Sequence, residues 1–299
     1  MINKMNRKAF TMLELVFVIV IMGIIGKFGV EFIAQAYKSF IFSKINNELQ
    51  ANSASAVEFI AKRLEYRIKN STITRNLGAG TWTALVSSND ENATVLEWIG
   101  VDVDGFRGTT TPNWSGVIDL NDSNGTTLVS PATNTANVNT LINVLSYTNS
   151  SIANAALYFM NQSYIIGDWG YSGNIADQND TIHPIINSGI DTKWFLPDTG
   201  ANNFSGKDVF EYYQLAWSAY AVVLEDYNTT TNIGNLVLYY DYQPWEGESY
   251  ATNGKSATIM ENINSFRFRP VGSLIKIQVC AKSDLTNEEY AICKEKTIY

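Results

Sequence analysis

The chain has 299 residues, of which 21 are basic and 29 acidic, and its formal net charge is −8. Its length allows one large domain or two modest ones. The acidic balance argues against a general nucleic-acid binder, because phosphate contacts require clustered Lys and Arg.

The first 26 residues place a basic stretch before an apolar run. Lys4, Arg7 and Lys8 precede the small residue Ala9, and the aromatic Phe10 follows it. A secretory signal peptide carries its small-residue cleavage site after the apolar stretch. Here the small residue comes first, so the order differs from that of a secretory signal.

The segment F-T-M-L-E-L-V at 10–16 resembles the start of the mature chain in the type IV pilin and pseudopilin superfamily. The resemblance covers roughly the first 60 residues. It implies a leader at 1–9, cut between Ala9 and Phe10, and methylation of the new Phe10 amine by the same peptidase. It also implies that Glu14 meets the N-terminal amine of a neighbouring subunit during assembly. Ala9 stands where the family usually has Gly, and Glu31 lies where many members have Pro.

A simple signal anchor is the alternative interpretation of the apolar segment 10–36. Its uncharged run, 15–26, is shorter than the roughly 20 residues that span a bilayer. Glu14 in lipid would cost several kcal/mol and usually marks a function. A plain anchor gains nothing from that carboxylate, whereas a helix that must find a partner amine does. Lys27 and Glu31 lie four apart, on one helical face.

The leader holds three of the 21 basic residues and no acid. A basic leader and an acidic remainder fit the positive-inside rule, with the N-terminus cytoplasmic and the head outside. The resemblance places such a chain in the bacterial inner membrane, with a single pass and a periplasmic head, and then in a pilus or pseudopilus filament.

Residues 37–70 continue the helix as an amphipathic segment. Apolar residues from Ile45 to Ile68 recur with a spacing near 3.6, which predicts one continuous helix from Phe10 to about Lys69. Glu58–Lys62 and Glu65–Lys69 are expected to pair on its polar side.

Residues 71–299 read as a β-rich head, so the predicted fold class is α+β. Segments dense in β-branched and aromatic residues predict strands at 94–101, 215–224, 236–242, 263–269 and 274–280. The last two form a hairpin, in which Pro270 and Gly272 supply the turn. Residues 107–207 look like an enlarged insertion. Within it we expect exposed loops at 109–139, a short helix at 138–147 and a buried element at 155–166.

The two cysteines, Cys280 and Cys293, lie near the C-terminus. An exported compartment favours a disulfide between them, and pilin-like heads often close a C-terminal loop with such a bond. Two buried thiols that never meet are the alternative.

No motif announces catalysis. His183 is the one histidine, lies in an expected loop and has no nucleophile elbow near it. Asp102, Asp104 and the segment 119–125 resemble calcium loops without the ligand spacing of an EF-hand. Aromatic residues at 194–195 and 238–245 could line a sugar-binding surface, although such rings more often fill a sheet core. Neither enzymatic activity nor a cofactor or metal is expected.

Five glycosylation candidates have Asp two residues before the Asn of an Asn-x-Ser/Thr site. They are Asn92, Asn121, Asn124, Asn179 and Asn228, and Asn179 is the preferred one. The pattern resembles the acceptor of bacterial oligosaccharyltransferases. Asp, Asn, Ser and Thr also gather in turns for their own hydrogen-bonding reasons.

The resemblance predicts a structural minor pilin or pseudopilin that primes or caps a type IV pilus or a type II secretion pseudopilus. Its expected partners are other pilin subunits, the prepilin peptidase and the inner-membrane assembly platform, with no nucleic acid. An adhesin or glycan-binding head on a pilin stem is the main alternative. An enzyme displayed on the stem is a third.

Overall fold

The computed structural model describes residues 11–78, 80–88, 90, 92–160, 169–173, 178–198, 203–283 and 291–299. A long N-terminal helix precedes a β-rich domain with two antiparallel sheets, which confirms the predicted α+β class. The chain divides into two compact units, Met1–Leu49 and Gln50–Tyr299.

The helices are α1 (Met12–Glu65), α2 (Val103–Arg107) and α3 (Thr135–Leu145). The strands are β1 (Ile73–Arg75), β2 (Thr83–Ala84), β3 (Val95–Gly100), β4 (Asp119–Asn124), β5 (Thr127–Val129), β6 (Ala156–Phe159), β7 (His183–Asn187), β8 (Trp194–Pro197), β9 (Tyr213–Ala216), β10 (Ser218–Asn228), β11 (Ile233–Tyr240), β12 (Lys255–Val271), β13 (Leu274–Lys282) and β14 (Ala291–Ile298).

Helix α1 ends at Glu65, four residues before the predicted end. Arg67 forms an isolated bridge with Gly100, and the amide of Ile68 donates to the carbonyl of Ile99, so the chain turns from helix to sheet pairing. The Arg67 guanidinium donates to the carbonyls of Leu64 (2.7 Å) and Tyr299 (3.0 Å). A cation at this position satisfies carbonyls that a helix end leaves free.

The predicted apolar stripe of α1 is confirmed in the part that belongs to the second unit. Its buried residues there recur at helical spacing: Ala56, Val57, Ile60, Ala61 and Leu64. The expected Glu58–Lys62 pair is wrong. Glu58 instead binds Lys296 of β14, at 2.6 Å, because the neighbouring strand brings a cation closer than the next helical turn does.

The large sheet has eight strands in the order β14-β13-β12-β11-β10-β3-β1-β2. Trp98 of β3 lies opposite Tyr220 of β10, and their rings stack with centroids 5.9 Å apart. The guanidinium of Arg63 lies 5.6 Å from the centroid of the Tyr220 ring. The last turns of α1 therefore cover this face of the sheet.

The small sheet has six strands in the order β4-β5-β8-β7-β6-β9, and five of them lie within residues 107–207. The expectation of exposed loops over 109–139 is wrong, because β4, β5 and the start of α3 lie there. Leu128, Val138 and Ile142 are buried in one cluster with Leu157 and Phe195. The segment 109–139 is polar in composition, but its few apolar residues pack against distant parts of the chain and fix its structure. The expected helix at 138–147 is confirmed as α3.

Strand β6 is buried on both faces. Leu157 and Phe159 belong to the cluster that includes α3, whereas Ala156 and Tyr158 pack with Val95 and other residues of the large sheet. This confirms the first part of the buried element expected at 155–166; residues 161–168 lie outside the described ranges. The small sheet is therefore a middle layer.

The predicted strand 215–224 is in fact two strands, β9 and β10, which belong to different sheets and are separated by Trp217. The predicted hairpin β12–β13 is confirmed, with Phe266 and Phe268 buried and Arg267 and Arg269 exposed. Its turn differs slightly: Pro270 pairs with Ile275 inside the ladder, and Gly272 (φ +62°) follows in the turn proper. Glycine adopts positive φ without steric cost.

Candidate assembly site

The first half of α1 is an exposed apolar surface. An 18-residue window has a mean hydropathy of 2.3, and none of it is buried. Within the described ranges this is the one helix long and apolar enough to cross a membrane. A helix that is apolar all round belongs in a protein core or in lipid.

Glu14 forms a capping box with Thr11 at the start of this helix. Its Oε2 accepts from the Thr11 amide (3.0 Å) and hydroxyl (2.9 Å), and the Thr11 hydroxyl accepts from the Glu14 amide (3.3 Å). The T-x-x-E spacing is a known sequence signature of this cap, and the sequence interpretation overlooked it. The Oε1 atom of Glu14 has no hydrogen bond within the described part of the chain.

The structure describes only some of the other sequence features of this helix and its leader. Lys27 and Glu31 approach to 4.0 Å on an exposed face, as their spacing predicts. Gly23, Gly26 and Gly29 have no atom within 4 Å of a Cβ placed there. Ala9 and Phe10 lie outside the described residues, so cleavage and methylation stay predictions.

Cys280 and Cys293 form a disulfide, which confirms the predicted pairing. They lie directly opposite each other on β13 and β14. The bond joins the edge strand of the large sheet to its neighbour.

The acidic candidates do not form a metal site. Within the described ranges, no group of three or more His, Cys, Asp or Glu side chains could hold a metal ion. Asp102 caps α2 through the Gly105 amide and accepts from the Trp114 indole at 3.2 Å. Burial raises the pKa of Asp102 to about 6. Asp119 accepts from the amides of Asn121 and Asp122, which is the geometry of an ordinary turn.

The expected loop position of His183 is wrong, because His183 begins β7 and is fully buried. Its Nδ1 lies 3.0 Å from Oε1 of Gln178, and its ring meets Phe159 edge-on. Burial, with a contribution from Lys207, lowers the pKa of His183 to about 3. A histidine that stays neutral and enclosed serves packing.

Three of the six aromatic residues considered for sugar binding are core residues, and Trp194, Tyr239 and Tyr240 are half-buried. Phe195, Tyr242 and Trp245 are at most 1% exposed. The idea of a sugar-binding surface at these three rings is therefore wrong, and the core alternative is confirmed.

A buried ion pair lies at positions where no sequence pattern indicated one. Glu97 of β3 is 1% exposed and binds Arg75 of β1 at 2.5 Å, and the Tyr242 hydroxyl donates to it at 2.9 Å. Burial raises the pKa of Glu97, and Arg75 and Tyr242 oppose that effect. Breaking one side of such a pair leaves an uncompensated buried charge, so we assign the pair to the core.

The glycosylation candidates differ in access. Asn92, Asn121, Asn124 and Asn228 are exposed, whereas Asn179 is half-buried. The side-chain oxygens of Asn124 and Asn228 each accept from a residue two positions on, within their own turns. In Asn179 the side-chain oxygen accepts from the amides of Thr181 and Ile182, while Nδ2 is enclosed without a partner.

No protein family, curated protein or solved structure matches the chain. We therefore infer the function from the residues and from their geometry.

Proposed function

We propose that the chain is a structural minor pilin or pseudopilin, cleaved and N-methylated by a prepilin peptidase and incorporated into a type IV pilus or type II secretion pseudopilus. The observation that carries this proposal is the first half of α1, an exposed apolar helix with one carboxylate in its first turn. The leader sequence before it and the resemblance at 10–16 favour a pilin-like subunit over a simple signal anchor.

The exposed apolar helix requires a second environment. Burial of apolar surface contributes about 25 cal/mol per Å², and side chains such as Phe17, Ile24 and Phe32 are more than half exposed. Before assembly lipid would cover these side chains, and in a filament the helices of neighbouring subunits would replace lipid. Both environments suit the same residues, since neither requires a polar face.

Glu14 suits a helix that leaves lipid for a protein partner. Its Oε2 is satisfied by Thr11, while Oε1 stays available to an incoming donor. A charge pair in a medium of low dielectric constant is much stronger than in water. The methylated amine of Phe10 in a neighbouring subunit is the proposed donor.

The head suits a low-copy position in the filament. With its second sheet it is larger than a single-sheet head would be, and a tight helical lattice limits head bulk. The disulfide agrees with export to an oxidising compartment. The proposed partners are other subunits, the prepilin peptidase and the inner-membrane assembly platform. No chemistry of its own is required of this chain.

The test compares Glu14→Ala with Thr11→Val in the native host. Both changes break the capping box, but only the first removes the carboxylate. We expect Glu14→Ala protein to reach the membrane and to be absent from sheared filaments, while Thr11→Val protein is incorporated. Equal loss in both variants would assign Glu14 to helix capping, and wild-type incorporation of Glu14→Ala would contradict the assembly role.

Leader processing is tested separately, by N-terminal sequencing of the membrane-extracted protein. A methylated Phe10 is expected. Retention of Met1, or a cut after the apolar run, would overturn the prepilin assignment. A deletion strain scored for surface pili and for protein secretion then distinguishes pilus from pseudopilus.

A further inference from the structure

A groove of about 320 Å³ lies in the second unit, beside the last turns of α1. One wall is formed by α1 and the other by the segment from Gly100 to Arg107, with Trp217 and Tyr220 at its base. Its volume is at the lower end of the range, about 300–1,000 Å³, that small-molecule sites occupy. None of the sequence candidates pointed to it, apart from Asp102 and Asp104 as calcium ligands.

Three cations line the groove, and none of them has an ion-pair partner among the described residues. They are Lys62, Arg63 and Arg107. Glu58, the expected partner of Lys62, is taken by Lys296. The Arg63 guanidinium packs on the Phe59 ring at 4.6 Å and near Tyr220, and its nitrogens donate to no described atom. Its Nε is enclosed without a hydrogen bond. Unsatisfied buried donors are uncommon and costly in folded proteins.

The two carboxylates of the groove do not neutralise these cations. Asp102 is 4% exposed and its oxygens accept from the Gly105 amide and the Trp114 indole. Asp104 is exposed at the start of α2 and forms no ion pair in the described part of the chain. The groove therefore presents positive charge together with one free acceptor.

Aromatic faces complete the groove. Phe59 is 40% exposed and Tyr66 is 44% exposed. A Cβ added to Gly100 would lie 2.4 Å from the Tyr220 ring, so glycine at this position lets that ring lie against the strand backbone. Ring faces stack on flat or ring-shaped apolar groups.

We propose that this groove binds an acidic sugar, with the sugar carboxylate on Arg63 and Lys62, a ring hydroxyl donating to Asp104, and the ring face against Tyr66, since Arg63 already covers the Phe59 ring. A plain aromatic acid would satisfy the cations but offer no hydroxyl to Asp104. A neutral sugar would leave the cations without a partner. A polyphosphate would meet two carboxylates in a site of three cations. A ligand with one carboxylate and several hydroxyls matches all of the groups.

This proposal goes beyond the assembly role and is independent of it. A filament subunit can lack a ligand, and a ligand-binding head can fail to assemble. The adhesin alternative placed sugar binding at the rings of 194–195 and 238–245. The groove is a different site, at the surface.

The experiment is calorimetric titration of the full chain in detergent with glucuronate, galacturonate and N-acetylneuraminate. Glucose and galactose are the neutral counterparts of the first two, and sulfate is the simple anion. We expect saturable 1:1 binding of at least one acidic sugar, at least about tenfold tighter than its neutral counterpart or sulfate, which corresponds to about 1.4 kcal/mol.

Three variants locate the site. Arg63→Gln and Tyr66→Ser should each weaken binding of the acidic sugar by about tenfold or more, whereas Arg267→Gln, on the exposed face of β12, should leave it unchanged. Tyr66 is exposed, so Tyr66→Ser should fold and still tests the site if Arg63→Gln fails to fold. Absence of saturable binding by all three acidic sugars, equal binding of neutral sugars or sulfate, or unchanged affinity in the folded groove variants would overturn the proposal.

Discussion

His183 shows how position converts a titratable residue into a packing residue. It is fully buried between Gln178 and Phe159, and burial lowers its pKa to about 3. In the unfolded chain a histidine titrates near its usual pKa of about 6.5. Below that pH the unfolded state binds a proton that the folded state does not bind. The free energy of unfolding therefore falls as the pH drops from about 6.5 towards 3.

We therefore expect His183→Asn to reduce the acid sensitivity of the fold. One pH unit of such linkage is worth about 1.4 kcal/mol, so between pH 6.5 and pH 5 wild type should lose about 2 kcal/mol more than the variant. Urea unfolding of both proteins at several pH values measures the difference, in which the contributions of all other groups cancel. Parallel pH profiles for the two proteins would contradict a neutral, buried His183.

Asparagine access changes the expectation for glycosylation. Asn179 was the preferred site from its sequence, but its Nδ2 is enclosed and its oxygen holds two backbone amides. A glycan is attached to Nδ2, so modification there would require the turn to open. Asn92 and Asn121 are exposed, and neither side chain makes a hydrogen bond with a described residue.

In a host with an oligosaccharyltransferase of this specificity, we expect glycans on one or more of the exposed sites Asn92, Asn121, Asn124 and Asn228, and none on Asn179. Glycopeptide mass spectrometry of the native protein measures the occupancy of each site. Asp119→Ala is the matched variant for Asn121, because it removes the acid of the acceptor pattern. Occupancy of Asn179 alone would refute the access argument.

Among the elements, the edge strand β14 depends most on a covalent bond. It pairs with β13 over eight residues, from Ile275↔Ile298 to Lys282↔Ala291, and Cys280–Cys293 bonds the two strands across the middle of that ladder. Lys and Glu alternate along β14 at Lys294, Glu295 and Lys296. Charged side chains on an edge strand discourage pairing with other chains.

Replacing both cysteines by serine should destabilise the head by about 3 kcal/mol, the value expected for closure of a loop this short. Its separation in sequence is 13 residues. Hydrogen exchange should rise first in β14. We expect the melting temperature of wild type to fall in reductant and that of the double variant to be insensitive to it. Identical melting of wild type with and without reductant would mean that the bond contributes nothing to stability.

At the scale of the whole molecule, the two compact units differ in whether their apolar residues are buried. The unit Gln50–Tyr299 contains both sheets and its own core clusters, and it includes the buried α1 residues Ile60 and Leu64. The unit Met1–Leu49 contains the apolar window. The boundary lies inside α1, not at a loop.

A fragment of residues 50–299 should therefore be soluble without detergent and form the Cys280–Cys293 bond. A fragment of residues 70–299 lacks Ile60 and Leu64, whose removal uncovers the large sheet, and it should aggregate. Truncations of buried aliphatic side chains cost about 2–5 kcal/mol each. Size-exclusion chromatography and circular dichroism compare the two. Equal solubility and melting of both fragments would show that the head does not need the end of α1.

The sequence by itself determined the features that depend on local order. The apolar run and Glu14, the hairpin β12–β13 and the pairing of two cysteines all follow from residue spacing or from a small number of choices. Helical and strand periods are local, so a single sequence carries them.

Only the tertiary structure decided the rest. The small sheet arises because pairings such as Leu157↔Leu215 and Leu128↔Phe195 join segments far apart in the chain, which polar composition concealed. Tertiary pairing also buried Glu97 with Arg75 and, among the described residues, left Arg63 without a carboxylate partner beside an open groove. Burial and charge pairing are properties of neighbours in space, and no local period in the sequence specifies them.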